Sequence, residues 1–185
     1  MNDYVIYQSS YIQENVVPII DHIQQAHESF ERIFPGRDST WTYNKYNIFT
    51  LAAPSTYFFY IYKELRNLIV KHLGTDNEIW LQAWINYMDY NQIDRLDWHN
   101  HDFNYHGYIC IDPKNTTTDF TEYKIENKIG QIYFGPGYRK HKVIANENYE
   151  GTRITIGFDL VINPSSKYVK YVDQPWNDMS FIPLI

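Results

Sequence analysis

The chain has a single cysteine, Cys110, among its 185 residues. That excludes an internal disulfide framework and any cysteine-based zinc cluster, since each needs several thiols at set spacings. No stretch approaches the roughly 18 apolar residues of a membrane-spanning helix, so no membrane partner is expected. Basic residues are in deficit: 16 Lys and Arg against 22 Asp and Glu leave a formal net charge of -6. A global basic field for gripping duplex nucleic acid is therefore missing. The start, Met1-Asn2-Asp3-Tyr4, has no basic segment followed by an apolar one, so it does not read as a secretory signal and the expectation is a cytoplasmic protein. Internal repeats and low-complexity segments are lacking too. Aromatic residues are plentiful at 18% of the chain, which excludes a disordered polypeptide, because such chains cannot bury enough surface to offset the entropy of ordering.

The length suits one domain spanning 1–185. Residues 1–75 read as helical support. Val16, Ile19, Ile20, Ile23, Ala26, Phe30 and Ile33 recur at three- and four-residue steps after Asn15, one face of an amphipathic helix. A second helix is expected over about 55–72, with Ser55 as its cap, Phe58, Ile61, Tyr62, Leu65, Leu68, Ile69 and Leu73 supplying its face, and Gly74 as its stop. From Ile79 the period shortens. Strands are expected at 79–87, 107–111, 121–125, 131–134, 141–145 and 153–161, separated by turn signals such as Asp112-Pro113-Lys114-Asn115 and Gly135-Pro136-Gly137. The tail over 163–185 carries a late apolar run, Phe181 to Ile185, expected to dock as a last strand. Helices first and then a run of short strands predict an α+β, mainly β unit of sandwich or barrel type.

Only seven histidines occur, and His99, His101, His106 and His141 fall within one region. In an extended chain, residues i and i+2 share a face, so His99 and His101 present two imidazoles about 6–7 Å apart at Cα. Imidazole suits Fe, Zn, Cu or Ni, although an isolated H-x-H also occurs on plain solvent faces. A strand ending in Gly-Pro-Gly delivers His141. Arg153 follows, sharing a strand face with Thr155, and a guanidinium beside a hydroxyl is a good carboxylate clamp.

This order, W-H-x-H, then G-x-(I/L)-x-F-x-P, a turn, His, and finally R-x-T-x-x-F-x-L, resembles the iron(II)- and 2-oxoglutarate-dependent dioxygenases. It is most similar to small prolyl-hydroxylase-like members of the type common in phage and marine bacteria. The resemblance covers about residues 79–162. It implies a double-stranded β-helix (jelly roll, cupin-like) braced by N-terminal helices, with Fe(II), 2-oxoglutarate and O2 as reactants and ascorbate as an accessory. His99 then matches the first ligand and His141 the distal ligand, while Arg153 with Thr155 matches the clamp on the far carboxylate of 2-oxoglutarate. The departure is at the second ligand, where His101 replaces Asp or Glu. Three arrangements stay open: three histidines, ligation by the adjacent Asp102, or a shifted register with His101 as first ligand. The resemblance further marks Tyr87, Asn86 and Tyr108 as candidates to hydrogen-bond the cosubstrate, with a place in the aromatic core as the other reading; His106 can line the pocket, support it from behind or cap its loop, and Trp84 and Trp98 read as packing or pocket walls. The segments 112–119 and 40–53 are candidate lids.

Two rivals remain. A cupin-type three-histidine metalloenzyme fits Gly130, Pro136, Gly137, His141 and Asn146, but lacks the Glu expected after H-x-H and gives Arg153 no task. A non-enzymatic jelly-roll binding module would use the aromatic surface. A peptidyl residue, an amino acid or a small metabolite all suit the dioxygenase reading as substrate. Oligomeric state is not legible.

Overall fold

The protein is seen in a computed structural model that describes residues 3–33, 46–52, 55–163 and 181–185. Among the described residues, strand β1 (Val5–Gln8) comes first, helices α1 (Ser10–Glu14), α2 (Val16–Ile33), α3 (Ile48–Leu51) and α4 (Thr56–Leu73) follow, and then strands β2 (Ile79–Met88), β3 (Tyr105–Asp112), β4 (Thr116–Phe120), β5 (Lys124–Glu126), β6 (Gln131–Pro136), β7 (His141–Ala145), β8 (Arg153–Ile162) and β9 (Phe181–Pro183). The long helices start and stop for local reasons. Ser55 caps α4 by accepting from Phe58 N, and Gly74 ends it at φ 81°, a left-handed conformation that glycine adopts without a Cβ penalty.

The strands form two antiparallel sheets, a large one in the order β1-β6-β3-β8-β2-β9 and a small one in the order β5-β4-β7. Facing each other, they make the double-stranded β-helix. Strand alternation divides the large sheet into two faces. Its outer face carries Ile109, Phe134, Ile156, Phe158 and Ile85, which join Ile23, Phe30, Ile61 and Leu65 of α2 and α4 in one apolar core. Each such side chain contributes roughly 1.5–3 kcal/mol on burial, so the helices hold the sheet rigid from behind. The inner face of β8 is polar: Arg153, Thr155, Gly157 and Asp159 all line the cavity between the sheets.

Several boundaries differ from expectation. The strand foreseen at 121–125 is a hairpin: residues 121–123 turn between β4 and β5. The segment 112–119 is therefore no lid. Its second half is β4, a wall of the cavity bearing Thr118. Of the other candidate lid, 40–53, the residues 40–45 and 53 lie outside the described residues. Residues 46–52 cover β2 instead: Ile85 N donates to Tyr46 Oη at 2.8 Å and Asn47 Nδ2 donates to Leu81 O at 2.9 Å. This shields the edge of β2 beyond the short β9, which pairs only Trp80 to Gln82. β1 was not foreseen; it adds to the edge of the large sheet through Val5–Gln8 against Gln131–Phe134.

Candidate active site

The H-x-H segment and His141 come together through backbone pairing. His99 N donates to His141 O at 3.0 Å and His141 N donates to His99 O at 2.9 Å. The two residues are thus directly opposed, and their rings stand 4.4 Å apart. Two residues on, His101 N donates to Gly137 O at 2.9 Å, and Gly137 N donates to Asn104 O at 3.1 Å. This close approach explains the second glycine of Gly-Pro-Gly: a Cβ on Gly137 would lie 2.2 Å from Phe103 O. The turn before His141 and the segment after His99 are therefore zipped together.

The ring nitrogens are sorted by their partners. His99 Nδ1 lies 2.6 Å from Asp97 O, His141 Nδ1 3.2 Å from Arg139 O, and His101 Nδ1 3.0 Å from Asp159 Oδ1. A carbonyl or an ionised carboxylate only accepts, so each Nδ1 carries the proton and each Nε2 is left with a lone pair. One ring nitrogen from each of His99, His101 and His141 lies within 4.8 Å of the others. His101 Nε2 is buried and has no hydrogen-bond partner. An orphaned buried acceptor amid two more imidazole lone pairs fits a divalent transition metal, which would satisfy all three at once. Burial lowers the pKa of His99, and burial together with the charge of neighbouring histidines brings His141 down to about 2. His99 and His141 are thus held as neutral imidazoles, the form that ligates a metal.

Asp102 lines the same cavity but stands outside the histidine cluster. The carboxylate that touches it is Asp159, which sequence reasoning overlooked and which forms a second potential metal-binding group with His101 and His106. It receives His101 and also His106, whose Nδ1 is 2.9 Å from Asp159 Oδ1. Burial pushes the Asp159 carboxyl up, but the charges and hydrogen bonds of His101 and His106 outweigh it and bring the pKa to about 2. Burial and the charge of His101 lower His106 to about 4. A signal for Asp159 existed: two-residue alternation from Arg153 places Asp159 on the Arg153 face, between apolar Phe158 and Leu160.

The other end of the cavity is built around Arg153. Its side chain is only 2% exposed, and no carboxylate among the described residues pairs with it. It donates to Thr155 Oγ1 at 3.3 Å. The same oxygen accepts from Asn86 Nδ2 at 3.2 Å, and Asn86 Oδ1 accepts from Trp84 Nε1 at 3.2 Å. Thr155 Oγ1 therefore accepts twice and keeps its own proton for a further acceptor. The Tyr108 hydroxyl is also buried there without a partner, and burial raises its pKa. Unpaired donors around a desolvated guanidinium suit an anion. The cavity joining the two ends has a volume of about 410 Å³, within the size range of small-molecule sites. Trp84 floors it, lying on Gly157, where a Cβ would be 2.7 Å from the indole.

Two aromatic candidates fall elsewhere. Tyr87 does not line the cavity: on β2 it alternates with Asn86, faces the helices and stacks on His27 of α2 at 4.4 Å. Trp98 is 45% exposed, with Lys142 Nζ 5.2 Å from its ring, so it lies outside the pocket.

Fold and pocket together define a double-stranded β-helix protein with a three-histidine site. No family model matches the sequence, and no curated protein is similar to it in sequence. Among solved structures, the chain is similar to the non-heme monooxygenase ThoJ in its nickel complex, at 9% identity over 89% of this chain and 77% of that one, with a TM-score of 0.56. It is also similar to the non-heme alpha ketoglutarate dependent epimerase SnoN from nogalamycin biosynthesis, at 9% identity over 86% of this chain and 78% of that one, with a TM-score of 0.52. At this identity the likenesses establish the fold.

Proposed function

We propose that this protein is a non-haem iron(II)- and 2-oxoglutarate-dependent oxygenase that hydroxylates a peptidyl residue, an amino acid or a small metabolite. The observation that carries the reading is the pairing, in one cavity, of three convergent imidazole acceptors with a buried guanidinium that lacks an acid. A metal alone accounts for the first and leaves Arg153 unexplained; a dicarboxylate bound between them accounts for both. Arg153, Thr155 and Asp159 share one face of β8, so a single strand carries the anion clamp at one end of the cavity and the partner of the histidines at the other. The likeness to SnoN, which is named as alpha ketoglutarate dependent, supports the same cosubstrate.

In this reading His99, His101 and His141 hold iron(II), which supplies the activation of oxygen once the 2-oxo acid is bound beside it. The chain's own part is positioning. Arg153 fixes one carboxylate with a two-pronged donor, Thr155 adds its hydroxyl proton, and Tyr108 adds a third donor. Trp84 and the apolar wall exclude water from the space between. Leu96, Phe103 and Phe181 add apolar surface to the lining, beside polar Gln82, Asn100 and Asp102.

The test is succinate release from 2-oxoglutarate in the presence of iron(II) and ascorbate. Wild type is expected to release succinate, and His141→Ala and Arg153→Ala to fall to background. A wild type that binds metal but neither binds nor decarboxylates 2-oxoglutarate moves the assignment to a cupin-type metalloenzyme. The all-imidazole ligand set favours that second reading, and 2-oxoglutarate binding decides between them.

A further inference from the structure

The oxygenase reading leaves a buried carboxylate and a buried imidazole without a task. Asp159 is 1% exposed. Its Oδ2 accepts from His101 Nδ1 at 3.1 Å and its Oδ1 accepts from His106 Nδ1 at 2.9 Å. Its Oδ1 also lies 3.0 Å from His101 Nδ1. The two rings are stacked at 3.6 Å with planes 12° apart. His106 and Asp159 are opposed across β3 and β8, so this arrangement is fixed by sheet register and not by a loop.

We infer that Asp159 is the carboxylate of the metal centre, acting one hydrogen bond away through His101, and that His106 is the positioning residue that anchors it. The inference rests on the proposed metal site of His99, His101 and His141. In a site of two histidines and one carboxylate, the anion sits on the metal. Here an imidazole stands in that place and the anion lies behind it. A carboxylate on Nδ1–H fixes the ring's tautomer and rotation and raises the basicity of Nε2, which returns part of the lost charge to the metal. His106 does not join the ligand set in this arrangement. It lies outside the cluster of His99, His101 and His141 and groups instead with His101 and Asp159, its ring flat against that of His101. It supplies the second Nδ1–H that holds Asp159 in place and the surface that stops the His101 ring from turning.

The test uses the chelator-stripped protein titrated with Co(II) under anaerobic conditions. Affinity is read by calorimetry, the ligand field by visible absorption, and the ligand Nδ1–H protons by their paramagnetically shifted NMR signals. Wild type is expected to bind one Co(II) and show three such signals. Asp159→Asn should bind about 10–100-fold more weakly, with a displaced visible band and the His101 signal lost or moved. His106→Gln should weaken binding less and leave three signals. Asp102→Asn should match wild type in all three readouts. Should Asp159→Asn keep wild-type affinity, band and signals, the inference is overturned while the metal site stands; transfer of these losses to Asp102→Asn overturns it equally. A wild type that binds no Co(II) overturns the metal site itself. If Asp159→Asn fails to fold, His106→Gln decides: unchanged affinity and an unmoved His101 signal contradict the anchoring role.

Discussion

Replacing Arg153 with methionine tests the cosubstrate pocket through two effects of opposite sign. The side chain is 2% exposed, and burial pushes its pKa down with no carboxylate opposing the shift. An uncompensated buried cation costs several kcal/mol, and exchanging it for an apolar side chain of similar volume is commonly neutral or stabilising by about 1–4 kcal/mol. Against this stand two long hydrogen bonds, to Thr155 at 3.3 Å and Thr116 at 3.5 Å, together worth roughly 1 kcal/mol. The net expectation for the metal-loaded, cosubstrate-free protein lies between no change and a gain of about 3 kcal/mol. For a chain of 185 residues that raises Tm by up to about 12 °C, at about 2–4 °C per kcal/mol. Ligand binding moves the other way. At a hundred times its Kd, 2-oxoglutarate should stabilise wild type by about 2.7 kcal/mol. Losing one partner of a buried charge pair costs about 2–5 kcal/mol of affinity, so Arg153→Met should show almost no ligand-induced shift. The assay is thermal denaturation with a redox-inert divalent metal, with and without 2-oxoglutarate. A variant that melts several degrees lower and still responds to 2-oxoglutarate like wild type refutes the reasoning, because Arg153 would then be structural.

Gly157→Ala should force the Trp84 indole off the strand, since the new Cβ lies 2.7 Å from it; overpacking of this kind costs about 1–3 kcal/mol. A lower Tm with altered tryptophan fluorescence and weaker metal binding is expected, and an unchanged Tm contradicts the tight floor. The metal-free protein should lose stability as pH falls from about 6.5 toward 4. His106 at about 4 and His141 at about 2 are neutral in the fold below the pH where the unfolded chain, at 6.5, takes up protons. The unfolded state thus binds more protons, at a slope of up to about 1.4 kcal/mol per pH unit for each histidine. Asp159, lowered from 3.8 to about 2, adds a further loss below about 3.8. Urea midpoints at pH 7 and pH 5 check this; a midpoint that rises on acidification would show that these imidazoles are charged in the fold.

The residues that announce themselves in the sequence are those whose meaning is local. Ser55, the apolar steps of α4 and Gly74 mark a helix because caps and periodicity act within a few residues. His99, His101 and His141 stand out because two-residue spacing and a Gly-Pro-Gly turn are short-range. Asp159 does not, since its importance arises from the register that opposes it to His106, set by pairing of strands nearly fifty residues apart. Tyr87 and Asn86 are neighbours on a strand, so only one of the two candidates can face the cavity; the alternation of Leu81, Ala83 and Ile85 with Gln82 and Asn86 puts Tyr87 on the helix side. β4 hides for a different reason. Its inward residues, Thr116 and Thr118, face a polar cavity, so the strand lacks the apolar stripe that normally marks a buried face. β1 is only four residues long and mostly exposed, too short for a periodic signal.

The central claim is that the histidines and Arg153 serve one site. It is tested most directly by titrating the anaerobic, iron(II)-loaded protein with 2-oxoglutarate and following the visible charge-transfer absorption of a 2-oxo acid chelated to iron(II). Wild type should develop the band saturably, Arg153→Met should need far more 2-oxoglutarate to reach it, and His141→Ala should show none. A wild type that holds iron(II) yet gives no band at saturating 2-oxoglutarate would contradict the account.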